Sequence, residues 1–203
     1  MLVTLSKELS DFFLRSQVYM EPWLISMAGL WLFNLVHWAL GSPLVVLGIR
    51  PRRIGGLIGI LFCPVLHQNF NHLFFNSIPL FVLGLILLTQ NLQTFMIITT
   101  LILVLGGFLV WLLARPARHI GASGLISGYF GYILILAYFK PDYTSLFLAG
   151  LVLYYFGSIL LGLFPREAKV SWESHLYGFI SGILGGYWIT HPLDPIFQGL
   201  PWK

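Results

Sequence analysis

The chain has 203 residues, of which only 18 are charged (11 Lys and Arg, 7 Asp and Glu), or 9%, while 58% are hydrophobic. An ordinary soluble domain carries roughly 25% charged residues, so a water-soluble enzyme is excluded. The net charge of +4 does not imply a nucleic-acid partner, because only Arg50, Arg52 and Arg53 cluster; loops anchored at the headgroups of a lipid bilayer are the better reading.

Five stretches free of Asp, Glu, Lys and Arg, at 22–49, 54–114, 119–139, 143–165 and 174–193, hold 153 of the residues. A spanning helix needs about 20 largely apolar residues. The pattern predicts an all-α, polytopic membrane protein with six transmembrane helices, forming one domain over residues 1–203. Residues 1–20 contain Lys7, Glu8, Asp11 and Arg15 ahead of any long apolar run, unlike a cleavable signal peptide. Leu2, Leu5, Leu9 and Phe12 fall at helical spacing, which predicts a short amphipathic helix on the membrane surface, with a flexible tail as the alternative. Pro22 opens and Gly41-Ser42-Pro43 closes a first span at 23–40. The apolar segment 54–66 has 13 residues, too short to cross, and reads as a re-entrant or interfacial segment. The remaining spans are expected at 70–88, 95–114, 123–139, 145–164 and 173–189, separated by polar, charged or proline-containing turns.

Spans two, four and six run in the same direction, and the strongly polar residues gather at their N-terminal ends: His67, His72 and Asn76, then Ser123, then His175. Polar groups at membrane depth are costly and point to function. Gly121-Ala122-Ser123-Gly124 puts a serine at a helix start, where unpaired backbone N–H groups can stabilise an oxyanion. Alone, the motif also fits a helix cap with packing glycines. Gly124, Gly128 and Gly131 share one helix face, however, and Gly178, Gly182 and Gly185 below His175 repeat the spacing. Two such faces allow the close approach that would bring the Ser123 hydroxyl to the His175 imidazole, a nucleophile and its general base.

Glu173 lies roughly 200° around the helix from His175, so a Ser–His dyad is favoured over a triad. His72 and Asn76 are i, i+4 neighbours able to donate to an oxyanion, or simply a polar packing pair. A zinc site from Cys63, His67, His72 and His175 is disfavoured, since His67 and His72 are out of helical register and the Glu of H-E-x-x-H is missing. His37, His119 and His191 lie at span ends and read as interfacial side chains.

The ordered motifs His67-x4-His72-x3-Asn76, Gly121-Ala122-Ser123-Gly124 and His175-x2-Gly178-x3-Gly182 resemble those of the rhomboid family of intramembrane serine proteases. The resemblance covers about residues 30–190. It implies a compact six-helix bundle with Ser123 as nucleophile and His175 as base. His72, Asn76 and the backbone N–H groups of Ser123 and Ala122 would form the oxyanion hole, with His67, Gly121, Gly124, Gly178 and Gly182 in support. It further implies cleavage of transmembrane protein substrates without cofactor or metal, a bacterial cytoplasmic (inner) membrane location, and a fifth span acting either as lateral gate or as plain lipid-facing packing. The alternative is a non-proteolytic membrane client-binding or small-anion transport protein. Three departures stand out: Ser127 replaces an aromatic residue that commonly supports the base, leaving Tyr129 as one candidate for that support; Arg50-Pro51-Arg52-Arg53 replaces a Trp-Arg pair; and Cys63 replaces a further histidine. The termini would be cytoplasmic by resemblance, whereas a count of Lys and Arg, four with the termini against seven on the opposite side, favours the reverse.

Overall fold

A computed structural model describes residues 2–165 and 171–191. The helices, in chain order, are α1 (Leu2–Ala39), α2 (Gly59–Phe62), α3 (Phe70–Gln90), α4 (Leu92–Leu101), α5 (Gly107–Leu113), α6 (Ser123–Phe139), α7 (Tyr143–Phe156) and α8 (Trp172–Thr190). A π-helical turn, Ile102–Gly106, joins α4 to α5, and a 3-10 segment, Gly157–Leu163, prolongs α7. Among the described residues extended pairing is confined to an isolated bridge between Ile49 and His119. The fold is all-α, a rhomboid-like helical bundle.

By length and composition three helical runs are able to cross a membrane: Phe70–Gln90, Leu92–Leu113 and Tyr143–Leu163. The expected spans two, three and five coincide with them. Helices α6 and α8 cover the fourth and sixth. The segment 54–65 forms only short helical turns, as its length requires. Large apolar side chains such as Leu32, Phe75, Phe147 and Tyr154 are exposed on the outer faces, as expected where lipid replaces water.

The first span differs from expectation. Pro22 does not start a helix but sits inside α1, which runs unbroken for 38 residues. At 1.5 Å per residue this is about 57 Å, well beyond a bilayer core of about 30 Å. The lost N–H of Pro22 is tolerated because α1 is held on both sides of it. Trp23 donates from Nε1 to the Phe81 carbonyl (2.9 Å). Nearer the N-terminus, Glu8 Oε2 accepts from the backbone N–H (3.2 Å) and hydroxyl (3.1 Å) of Thr144. The N-terminal segment thus continues into the first span as one helix.

Helix α6 is the centre of the bundle: residues 126–133 are all buried. Its backbone meets α8 at near-zero clearance along the glycine positions. A Cβ on Gly178 or Gly182 would run into the carbonyl oxygen of Gly124 or Gly128, respectively, and one on Gly131 would lie 2.7 Å from the Phe179 carbonyl oxygen. The expected faces need two amendments. A Cβ on Gly128 would meet Ile102 of the π-helical turn rather than α8. Gly185 turns towards Ile98 and Leu101 on α4, and its neighbour Gly186 packs against Ile135 and Tyr132 of α6.

Candidate active site

Several helix starts are stoppered by a side chain. Asn69 accepts from the His72 N–H, Asn91 from Thr94, Asp142 from Ser145 and Ser171 from Ser174. The start of α6 has no side-chain cap; Ala122 occupies the cap position and Ser123 is the first helical residue. Its first-turn donors and positive dipole end are therefore left for something other than a neighbouring side chain.

Gly121 sets the approach to that end. It has φ +111°, a left-handed conformation suited to glycine, and its N–H donates to the Cys63 carbonyl (2.8 Å). A Cβ here would also meet His72 Nε2 at 2.5 Å and Asn76 Nδ2 at 3.4 Å. The turn ahead of Ser123 is thus packed directly on the two α3 residues expected to bind an oxyanion. Behind it lies His67, fully buried, its backbone N–H donating to Asn34 Oδ1 (2.9 Å) and its Nε2 accepting from the Ala122 N–H (3.4 Å). Burial, reinforced by the neighbouring His72, lowers the pKa of His67 to about 3, so the ring is neutral and can serve as that acceptor. The Ala122 N–H is consequently already engaged.

On the far side, Gly124 lies against the Ser174 carbonyl oxygen, 3.1 Å from where its Cβ would stand. The residue after Ser123 thus touches the residue before His175. Ser123, His175 and Asn76 line one open cavity of about 360 Å³, bordered by Phe75 and Pro79 of α3 and Phe156 beside the 3-10 segment. The Asn76 amide nitrogen is buried and lacks a hydrogen-bond partner among the described residues. His72 is not part of this wall. Among the described residues no three His, Cys, Asp or Glu side chains gather as metal ligands.

His175 is supported differently from the sequence expectation. Tyr129 is turned away, its hydroxyl bonded to Thr99 Oγ1 (2.7 Å) and its ring beside Phe95. Ser127 lies in the cavity wall. The buried Nδ1 edge of His175 instead abuts Gly162, whose Cβ would sit 2.5 Å away.

Two histidines assigned to the interface are core residues: His37 and His119 are each 2% exposed. His119 Nδ1 shares a 2.5 Å hydrogen bond with Ser171 Oγ, and Ser171 Oγ lies 2.7 Å from Ser174 Oγ. Glu173 pairs with Arg115 (3.1 Å). Its carboxylate thus joins the loop ahead of α6 to the start of α8 rather than serving His175. Sequence reasoning missed Asn34, Gly162 and this loop network. Only Asn34, a lone amide in an apolar span, carried a signal.

A family model described as the Rhomboid domain matches residues 55–192. An uncharacterized protein of Mycobacterium tuberculosis is 38% identical over 175 residues, covering 82% of this chain and 73% of that protein. An uncharacterized protein of Mycobacterium leprae is 37% identical over the same length, with 82% and 69% covered. With its helical bundle and the three motif segments meeting at one end of it, the chain belongs to the rhomboid family, a family of intramembrane proteases.

Proposed function

We propose that the protein is a serine endopeptidase of the membrane interior, cleaving transmembrane segments of membrane-protein substrates by a Ser123–His175 dyad. The observation that carries this reading is that Ser123, His175 and the unpartnered Asn76 amide share the walls of one cavity. In the first half-reaction His175 takes the proton of Ser123 Oγ as it attacks the scissile carbonyl. The resulting oxyanion is met by the Ser123 N–H at the uncapped start of α6 and by the side chain of Asn76, while His72, outside the cavity wall, would add its donor only from its place against the Gly121 turn. His175 then gives its proton to the departing amine. Water, deprotonated by the same imidazole, releases the acyl group and restores the serine. A helical substrate bonds its own amides, so it must unwind locally to present a carbonyl. The mycobacterial relatives support a bacterial cytoplasmic membrane location.

The test is labelling by a fluorophosphonate probe, together with cleavage of a reconstituted transmembrane substrate, in wild type, Ser123→Ala and His175→Ala. Both signals should vanish in both variants. Undiminished labelling of Ser123→Ala would reject the nucleophile, and substrate capture without cleavage by wild type would point to client binding instead.

A further inference from the structure

Away from the dyad, a recess of about 740 Å³ opens between the first loop and the loop preceding α6. It is walled by Arg50, Arg53 and Arg118 with Val46, Ile54 and Pro116 among their neighbours, and among the described residues no acidic one lines it. Among the described residues no carboxylate pairs with these three arginines; the ion pair at this end of the bundle joins Arg115 and Glu173.

The recess rests on a fixed frame. Ile49 and His119 exchange reciprocal backbone hydrogen bonds of 3.0 Å, so Arg50 and Arg118 flank a paired stretch rather than two free loops. Arg52 has φ 57° and is committed elsewhere, donating to the carbonyls of Leu112 (3.1 Å) and Ala114 (2.8 Å) at the end of α5. Trp111 Nε1 binds the Arg53 carbonyl (2.8 Å). One arginine of the run thus staples the loop while Arg50 and Arg53 remain exposed. Ile54, in the wall of the recess, is 87% exposed, and further along the same segment Leu61 is 63% exposed.

Guanidinium groups match phosphate oxygens in bidentate fashion, and an apolar ledge next to such a cradle suits a ligand with both a phosphate and a hydrocarbon part. We propose that this recess binds the headgroup phosphate of an anionic phospholipid, whose acyl chains lie along Ile54 and Leu61. The bound lipid would hold the interfacial segment at headgroup depth. That segment carries the Cys63 carbonyl which fixes Gly121, so the site is structurally continuous with the turn before Ser123.

The full chain in a non-ionic detergent would be titrated with phosphatidylglycerol, phosphatidylcholine and inorganic phosphate, with retained lipid read by native mass spectrometry. Wild type should keep one phosphatidylglycerol in clear preference to phosphatidylcholine, and inorganic phosphate should displace it only weakly. Each arginine removed should weaken retention about fivefold, so R50Q/R53Q/R118Q should bind both lipids alike. Arg15→Gln, far along the chain in α1, should change nothing. Equal retention of the two lipids by wild type, or selectivity surviving in the triple variant, would overturn the proposal. Displacement by inorganic phosphate at matching concentration would assign the recess to a soluble anion instead. If the triple variant does not fold, Arg118→Gln alone and a salt series on wild type decide: the preference should shrink as ionic strength rises, and a salt-insensitive preference refutes it.

Discussion

Replacing Gly162 by alanine would place a methyl carbon 2.5 Å from His175 Nδ1, where ordinary contact begins at 3.4 Å. The alanine meets no backbone obstacle, because Gly162 does not have a left-handed φ. The strain therefore falls on the imidazole, which must move by about 0.9 Å. A misplacement of about 1 Å in a reacting pair costs on the order of 100-fold in rate, or about 2.7 kcal/mol of barrier. Gly162→Ala should accordingly lower kcat about 100-fold, slow fluorophosphonate labelling of Ser123 in parallel, and leave KM and the thermal unfolding midpoint nearly unchanged. Gly150→Ala is the control on the neighbouring α7, since nothing lies within 4 Å of its added carbon. A folded Gly162→Ala protein that labels at the wild-type rate would refute the idea that this glycine positions the base.

Gly182→Ala should lower thermal stability by about 1–3 kcal/mol, because its Cβ meets the backbone carbonyl of Gly128, which cannot rotate aside; Gly29→Ala, with open space around it, should be neutral in the same melt. His67 has a folded pKa of about 3 against 6.5 when unfolded, so the folded state binds fewer protons and loses stability as pH falls below 6.5. The loss should reach about 2 kcal/mol by about pH 5, and His67→Gln should flatten that slope in pH-dependent unfolding. Burial lowers the pKa of His119 as well, so a smaller slope of the same sign should persist in that variant. Glu8→Gln weakens the acceptor for two donors of Thr144, which should speed amide exchange at the start of α7 and in the first turns of α1 while leaving the α6–α8 contact protected.

Much of the candidate site was legible because its signals are local. Three motif segments on parallel spans had to meet at one end of the bundle, and the Gly121 turn, Asn76 and His175 do so. The i, i+4 glycine faces announced a close α6–α8 crossing, since only a missing Cβ lets backbones approach so nearly. The third contact was misassigned between Gly185 and Gly186, because helical phase drifts over two turns and the partner's own surface selects which glycine is used.

Hydropathy and span length alone determined the membrane character, the placement of the spans after the first and the shortness of the segment 54–65, since the bilayer imposes length and polarity on each stretch independently. Tertiary structure decided what depends on remote partners. Pro22 stays within α1 because Trp23 and Glu8 anchor the helix on either side. His37 and His119 are interior rather than interfacial. Glu173 serves Arg115 and not His175, and Gly162 rather than Tyr129 backs the base. A side chain's neighbours across the bundle are set by packing between segments far apart in the chain, and periodicity along one helix carries no record of them.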